Sequence, residues 1–419
     1  YLILFCSMES NKFSPADFEK LLKEGYGFRN FCFLNSNGAP QGSYCGLTKY
    51  DFLAGINALD SVEATVQSLP KLETFIQKNK GKWMFGFLSY ELKNEIESLT
   101  SSHTDRLNFP VIHFFVPQVV LTSKQGVLNM VDQHEQISRQ FVADDVELRQ
   151  HPRSGAVELI PRFSKEEYTS TLSKLKNELQ QGNIYEVTFC QEFYNDAAAI
   201  QPFETYIKLN AKTSAPMSCF YKKDNQYIIS SSPERFLCRR GNTLFSQPIK
   251  GTASCSASRE EDDWLKEQLL NNEKERAENI MIVDLVRNDL SRIALPGSVN
   301  VNELLGLYSF KTVHQLISTI SCNIHPQASF TDLIRATFPG APKISAMQLI
   351  DAHEKTNRGL FSGSVGYIDP TGDFDFNVII RSILYNAQRN YVSVQAGGAI
   401  TIQSDADAEY EESMLKAKA

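Results

Sequence analysis

The chain has 419 residues, a formal net charge of −7, 42% hydrophobic and 22% charged residues, the proportions of a globular protein large enough for two domains or one large duplicated core. That acidity, with no clustered basic stripe, argues against nucleic acid as a partner and leaves any anionic ligand to be attracted by local groups. The eight cysteines include no Cys-x-x-Cys pair and the seven histidines are dispersed; neither set shows zinc-ligand spacing, and the cysteines fit reduced packing residues of a cytoplasmic protein.

Taken in chain order, the apolar opening YLILFC is far too short to span a bilayer and lacks a basic flank and cleavage site, so neither a membrane span nor a signal peptide is expected there. Residues 1 to about 130 alternate short strands and helices, with GKWMFGFLSYEL (81–92) a clear aromatic strand. The polar stretch beginning DQHEQISRQ has linker composition. It sets a boundary near residue 150, giving a variable N-terminal unit over 1–150 and a second unit over 151–419. SKEEYTSTLSKLKNELQQGN has helical periodicity, a Ser164 cap answered by Glu167, and a stop at Gly182. Strands follow at IYEVTFCQEF, MSCFYKKDNQYIISSS and RFLCRRGNTLFSQPI, then a long helix from about Glu260 with a break before ERAENIMIVDLVRNDLSRI. The strands GSVGYID, NVIIRSILYN and YVSVQAGGAITI precede a last helix that Ser404 and Asp407 are expected to cap. Hairpins with helices set apart indicate an α+β fold. No glycine-rich phosphate loop follows a strand, so nucleotide binding is not expected.

Five features carry chemistry. In SQPIKGTASC, Lys250 stands between Pro-Ile and Gly251-Thr252 at the end of a strand; it is either a solvated charge or an amine held over a pocket. Glu234 follows Pro233 at another strand end, where partial burial would raise its pKa toward general-acid use, although a turn glutamate in water is the plainer reading. Glu275 with Glu278, and Glu409 with Glu412, are couples spaced by three, so each couple shares a helix face. Two such faces together would offer only oxygen ligands, a set suited to Mg²⁺; each alone is more often a solvated face. Arg381 interrupts an apolar strand, which suggests a bidentate carboxylate partner, either a ligand or a structural salt bridge. Gly397 and Gly398 lie inside a strand, marking a bulge or a close approach to a ligand.

These stretches, with TVHQLISTI, GAPKISAMQLID, FSGSVGYID and AGGAITIQSDADAEYEESMLKAKA, resemble the chorismate-utilising enzymes, in the family's order over roughly 163–419. That family contains the large subunits of anthranilate and aminodeoxychorismate synthases and the isochorismate and salicylate synthases. The resemblance implies two large antiparallel β-sheets packed as a sandwich with helices outside, and a Mg²⁺ that holds a carboxylate of chorismate. It implies Glu278 and Glu412 as principal metal ligands with Glu275 and Glu409 beside them, and Glu234 as the acid that helps the 4-hydroxyl leave. Gly251 and Thr252 flank the lysine in the substrate pocket, Arg381, Gly397, Gly398 and Lys416 match groups that hold the substrate's carboxylates, and His314 matches a site histidine.

Within the family, PIKGT resembles the aminodeoxychorismate branch, since anthranilate synthases carry alanine where Lys250 stands. The implied role of Lys250 is nucleophile at C2 of chorismate, which requires a neutral amine and hence a pKa lowered by burial. The expected nitrogen source is ammonia from a glutamine amidotransferase subunit (component II), because no cysteine here has a glutaminase setting. The competing readings are an anthranilate synthase component, a non-catalytic ligand-binding relative that scaffolds a glutaminase, and, more distantly, a pyridoxal-phosphate enzyme with Lys250 as Schiff base. The sequence departs from the family pattern at Glu186, usually glutamine in ammonia-using members, at Phe361, often tyrosine, at Ala399, often a third glycine, and in TFPGAPK, shorter than the usual run. The family's tryptophan-binding motif is not clear near FLNSNGAP.

Overall fold

The computed structural model describes residues 27–39, 45–133, 157–337 and 343–418. Among these, 18 strands form one hydrogen-bonded network in which every pairing is antiparallel. One arm runs, neighbour to neighbour, through β6 (Ile160–Pro161), β7 (Val187–Asn195), β18 (Tyr391–Ile400), β17 (Ser382–Asn386), β9 (Gln226–Ser232), β8 (Met217–Lys223) and β1 (Asn30–Asn35). The long β2 (Phe52–Ala64) joins β1 to β4 (Ile112–Lys124). From β4 the second arm runs through β3 (Met84–Leu88), β15 (Ser364–Ile368), β16 (Phe374–Asn377), β10 (Arg235–Arg240), β11 (Thr243–Gln247), β14 (Val313–Asn323) and β13 (Asn300–Ser309). β12 (Ile249–Ser254) continues along β14, and β5 (Val127–Asp132) borders β4.

The two arms face each other across a shared core. Phe85 and Phe87 of β3, Phe115 of β4 and Val365 of β15 pack with Cys190 of β7, Tyr221 of β8, Ile228 of β9 and Leu384 of β17. His113 Nδ1 lies 2.6 Å from the Tyr221 hydroxyl inside this layer, and burial lowers the histidine pKa to about 3. The strand MFGFL shows why the sequence was legible here. Phe85 and Phe87 enter the inter-sheet core, while Met84 and Leu88 enter a second core on the opposite face. A strand buried on both faces reads as a continuous apolar run.

Helices cover the outer faces, so the expected α+β sandwich is found. The second core receives α1 (Ser68–Lys78), α5 (Glu273–Ser291) and α6 (Phe330–Thr337). On the first arm, α3 (Pro202–Thr213) covers β1, β8 and β9, and α2 (Lys165–Gln180) and α7 (Lys343–His353) cover β7 and the end of β18. The Ser164–Glu167 capping box is present at α2. The break in the long helix is Asn272, which ends α4 (Arg259–Asn271) and caps α5 by accepting from Glu275 N at 3.1 Å. At α8 (Ala406–Lys418) the expected caps are corrected: Asp405, not Ser404 or Asp407, accepts from Ala408 N at 2.9 Å. The Ser404 hydroxyl instead accepts from Thr401 N, which places it in the preceding turn.

The boundary near residue 150 falls in 134–156, outside the described residues. Strands on either side of it pair directly, β1 with β8 and β3 with β15. No described helix is long and apolar enough to cross a membrane.

Candidate active site

The site begins with an irregularity in a strand. β12 keeps register with β14 at Ile249↔Ile317 and again at Thr252↔Gln315, so Lys250 and Gly251 together oppose one residue. Such a bulge bends the strand and re-aims its side chains. It requires Gly251, which has φ +96° and little room for a Cβ, the Leu316 side chain being 3.1 Å from where that atom would stand. Asn279 of α5 satisfies the carbonyls freed by the bulge, donating to Lys250 O at 3.1 Å and Leu316 O at 3.2 Å.

Aimed this way, Lys250 lines a cavity of about 1190 Å³, and its Nζ lies 2.8 Å from Glu186 Oε1. Glu186 is buried, and its second oxygen has no hydrogen-bond partner. The expected lowering of the lysine pKa is corrected here. Burial does push it down, but the charge and hydrogen bond of Glu186, with Glu278 and Glu234 behind it, hold it above the ordinary lysine value. Lys250 is therefore an ammonium in the resting site. Glu234 behaves as expected: burial raises its carboxyl to about 7, and Lys250 offsets this only in part.

The two glutamate couples meet. Glu275, Glu278, Glu409 and Glu412 all line this cavity. Lys274 of α5 lies 3.8 Å from Glu278 Oε1 and 3.9 Å from Glu409 Oε1, so carboxylates of α5 and α8 share one cation. Glu278 Oε1 is buried without a hydrogen bond. Burial raises Glu278 to about 7 and lifts Glu275 and Glu409 above the usual carboxylate range. Carboxylates alone are the donor type a hard divalent cation such as Mg²⁺ takes, although no three of these oxygens lie within 4.8 Å of one another, so the couples line the cavity without forming a closed cage.

Opposite the lysine, β18 brings backbone close to α8. A Cβ on Gly397 would lie 1.9 Å from Phe189 O, and one on Gly398 would lie 2.8 Å from Glu409 Oε2. Lys416 donates to Gly397 O at 2.8 Å and pairs with Glu412 at 2.6 Å. Arg381, at φ 51°, lines the same cavity. The structural salt bridge is not formed: among the described residues its guanidinium has no carboxylate at ion-pair distance. Burial works against its charge, and Glu412 opposes this only in part. A half-buried, unpaired arginine on a strained backbone marks a place for an anion. Thr252, Phe361 and Ala399 also line the cavity.

His314 is not brought to the site. It is 1% exposed and is held by Asp262 and Ser309, whereas its strand neighbours Val313 and Gln315 line the cavity. Successive residues of β14 point to opposite faces, so the face that meets the cavity carries Gln315. Lys274, Asn279 and Gln315 were not singled out in the sequence. Lys274 and Asn279 lie beside the glutamate couple on one helix, the one local signal that could have flagged them. The shortened TFPGAPK run falls mostly in 338–342, outside the described residues.

The family of chorismate binding enzymes matches residues 30–419. A probable aminodeoxychorismate synthase, chloroplastic, of Oryza sativa is 40% identical over 61% of this chain and 29% of its own. Aminodeoxychorismate synthase component 1 of Bacillus subtilis is 31% identical over 79% of this chain and 74% of its own. The crystal structure of anthranilate synthase component I from Streptococcus pneumoniae superposes with a TM-score of 0.75 at 25% identity, covering 93% of this chain and 92% of that one. The chain spans less than a third of the plant relatives' length.

Proposed function

Because the chain belongs to the chorismate binding enzymes, we propose that it converts chorismate and ammonia to 4-amino-4-deoxychorismate, the precursor of p-aminobenzoate and folate. The observation that carries this reading is the convergence of Lys250, Glu234, the glutamate couples and the unpaired Arg381 on one cavity. Arg381 and Lys416 bind the substrate's carboxylates. Mg²⁺ held by Glu275, Glu278, Glu409 and Glu412 would supply positive charge for a carboxylate of chorismate.

Lys250 first gives its proton to Glu186, 2.8 Å away. The freed lone pair attacks C2, the C1=C2 pair moves to C1–C6, and the C5=C6 pair moves to C4–C5. The C4–O bond breaks, and the oxygen leaves as water with the proton of Glu234. Ammonia then adds at C4, the double bonds return, and the C2–N bond breaks with its electrons on Lys250. Lys250 recovers its proton from Glu186, and Glu234 recovers one from solvent. Covalent catalysis thus divides one difficult displacement into two.

A glutamine amidotransferase subunit supplies the ammonia. The buried free thiols among the described residues suit a reducing compartment such as the cytoplasm. The structural likeness to an anthranilate synthase favours a second reading, in which ammonia attacks C2 and anthranilate is the product. Lys250 speaks against it.

The test is to supply chorismate, Mg²⁺ and ammonium to the purified chain and assign the product by NMR. The expected product carries its amine at C4, and glutamine alone gives no turnover. Anthranilate would overturn the reading in favour of the second, and glutamine-dependent turnover would overturn the need for a partner.

A further inference from the structure

His314, set aside by the active site, belongs to a different cluster, whose chain neighbours Ser254 and Val313 line the cavity. Cys255 just beyond β12, Asp262 of α4 and His314 of β14 each present a donor atom within 4.8 Å of the other two, an arrangement found once among the described residues. The ring nitrogens are divided between two partners. Nε2 lies 2.8 Å from Asp262 Oδ1, while Nδ1 faces Cys255 Sγ at 3.9 Å and the Ser309 hydroxyl at 2.8 Å. A carboxylate on Nε2 fixes the proton there, so the Nδ1 lone pair is the one turned toward the thiol. Lys266 takes the other oxygen of Asp262 at 2.6 Å, and Ser256 N donates to Oδ1 at 2.9 Å, so the carboxylate is itself anchored. Sγ also lies 3.4 Å from the Phe310 carbonyl oxygen.

A tetrahedral ion about 2.3 Å from sulfur and about 2.0 Å from nitrogen needs those two ligands somewhat under 4 Å apart. The metal-ligating histidine that donates its other N–H to a carboxylate is the commonest supported form of such a ligand. We propose that Cys255 Sγ and His314 Nδ1 bind a thiophilic divalent cation of the zinc class, oriented by Asp262, with the Phe310 carbonyl and water completing the shell. The thiol releases its proton to solvent as the metal–sulfur bond forms, and Ser309 gives up its bond to Nδ1.

The donor chemistry separates this site from the glutamate cluster, which offers only oxygen and suits a hard cation. The ligands are 59 residues apart in sequence, which is why no metal spacing is visible in the chain. The location gives the ion a consequence. Ser254, Phe310, Thr312 and Val313 line the cavity, so an ion here would tie the end of β12 to the β13–β14 turn.

The experiment is to titrate the intact protein with Co²⁺ in excess Mg²⁺, which occupies the oxygen site. A thiolate-to-cobalt charge-transfer band should grow to one equivalent and be displaced by Zn²⁺. Cys255→Ser should abolish the band, and because Cys255 is partly exposed that variant should fold normally. Asp262→Asn should keep the band but weaken binding about 10- to 100-fold. Absence of the band, its survival in Cys255→Ser, or unchanged affinity in Asp262→Asn would each overturn the assignment.

Discussion

Glu186 and Lys250 form the pair on which the proposed chemistry turns. A buried lysine without a counter-ion would lose its proton easily; this one is held charged by a carboxylate 2.8 Å away. Glu186→Gln keeps an acceptor at the same place and removes the charge. Lys250 should then become neutral at lower pH, so the rising limb of its reaction with chorismate should move to acid by about one unit or more. Single-turnover rates measured across pH check this, and an unmoved limb would mean that Glu186 does not set the lysine's charge. The sequence marked Glu186 as a departure without a partner, because nothing local says that residues 186 and 250 meet.

Glu278 poses the reverse problem, an anion the fold resists. Its pKa is raised to about 7, so between its ordinary value and 7 the folded state binds more protons than the unfolded one. Stability is therefore highest below the ordinary value and is lost as pH rises through 7. In metal-free protein Glu278→Gln should melt higher than the wild type at pH 8, by a margin on the order of 1–2 kcal/mol. The gap should close near pH 5. Mg²⁺ should stabilise the wild type and not the variant, which also loses chorismate binding. Thermal melts with and without chelator measure both.

Among the elements, most strands were legible as strands, but NVIIRSILYN is broken, with Arg381 between β16 and β17 rather than inside a strand, and the faces were not legible. His314 and Gln315 differ by one position, and one position in a strand exchanges the cavity face for the opposite one. The bulge at Lys250–Gly251 and the register of β12 on β14 decide which residue enters, and both depend on pairing with distant chain. The adjacent glycines of β18 were read as a bulge or a close approach to a ligand; the register with β7 runs through them unbroken, and the close approach is to protein, with a different task for each. A Cβ at 397 meets backbone, whereas a Cβ at 398 meets the movable end of Glu409. Gly397→Ala should therefore destabilise the fold by about 2 kcal/mol or more. Gly398→Ala should leave melting within about 1 kcal/mol of wild type yet displace Glu409 and lose most activity. Denaturant curves beside turnover assays separate the two, and equal stability losses would contradict the distinction.

At the scale of the whole molecule, hairpins with helices set apart indicated the α+β class, while the path of the network was not readable. β3 pairs with β15 and β1 with β8 across long stretches of chain, and no local propensity encodes such closure. The same closure makes ligand binding a property of the entire fold, because the cavity draws on both arms and on α5 and α8. Anything bound only by the folded state stabilises it, by about 2.7 kcal/mol at a hundredfold excess over Kd. Since Mg²⁺ and a chorismate carboxylate would share one site, together they should raise Tm by more than the sum of their separate shifts. Merely additive shifts would place them apart.

The covalent step is the most direct test. Chorismate and Mg²⁺ supplied without ammonia should leave the chain heavier by chorismic acid less one water, with the added mass on the peptide carrying Lys250. Ammonium should discharge it, and Lys250→Ala should never form it. An unmodified lysine, together with a Lys250→Ala variant whose KM rises while kcat is kept, would show that Lys250 only clamps a carboxylate. That result would contradict its role as nucleophile.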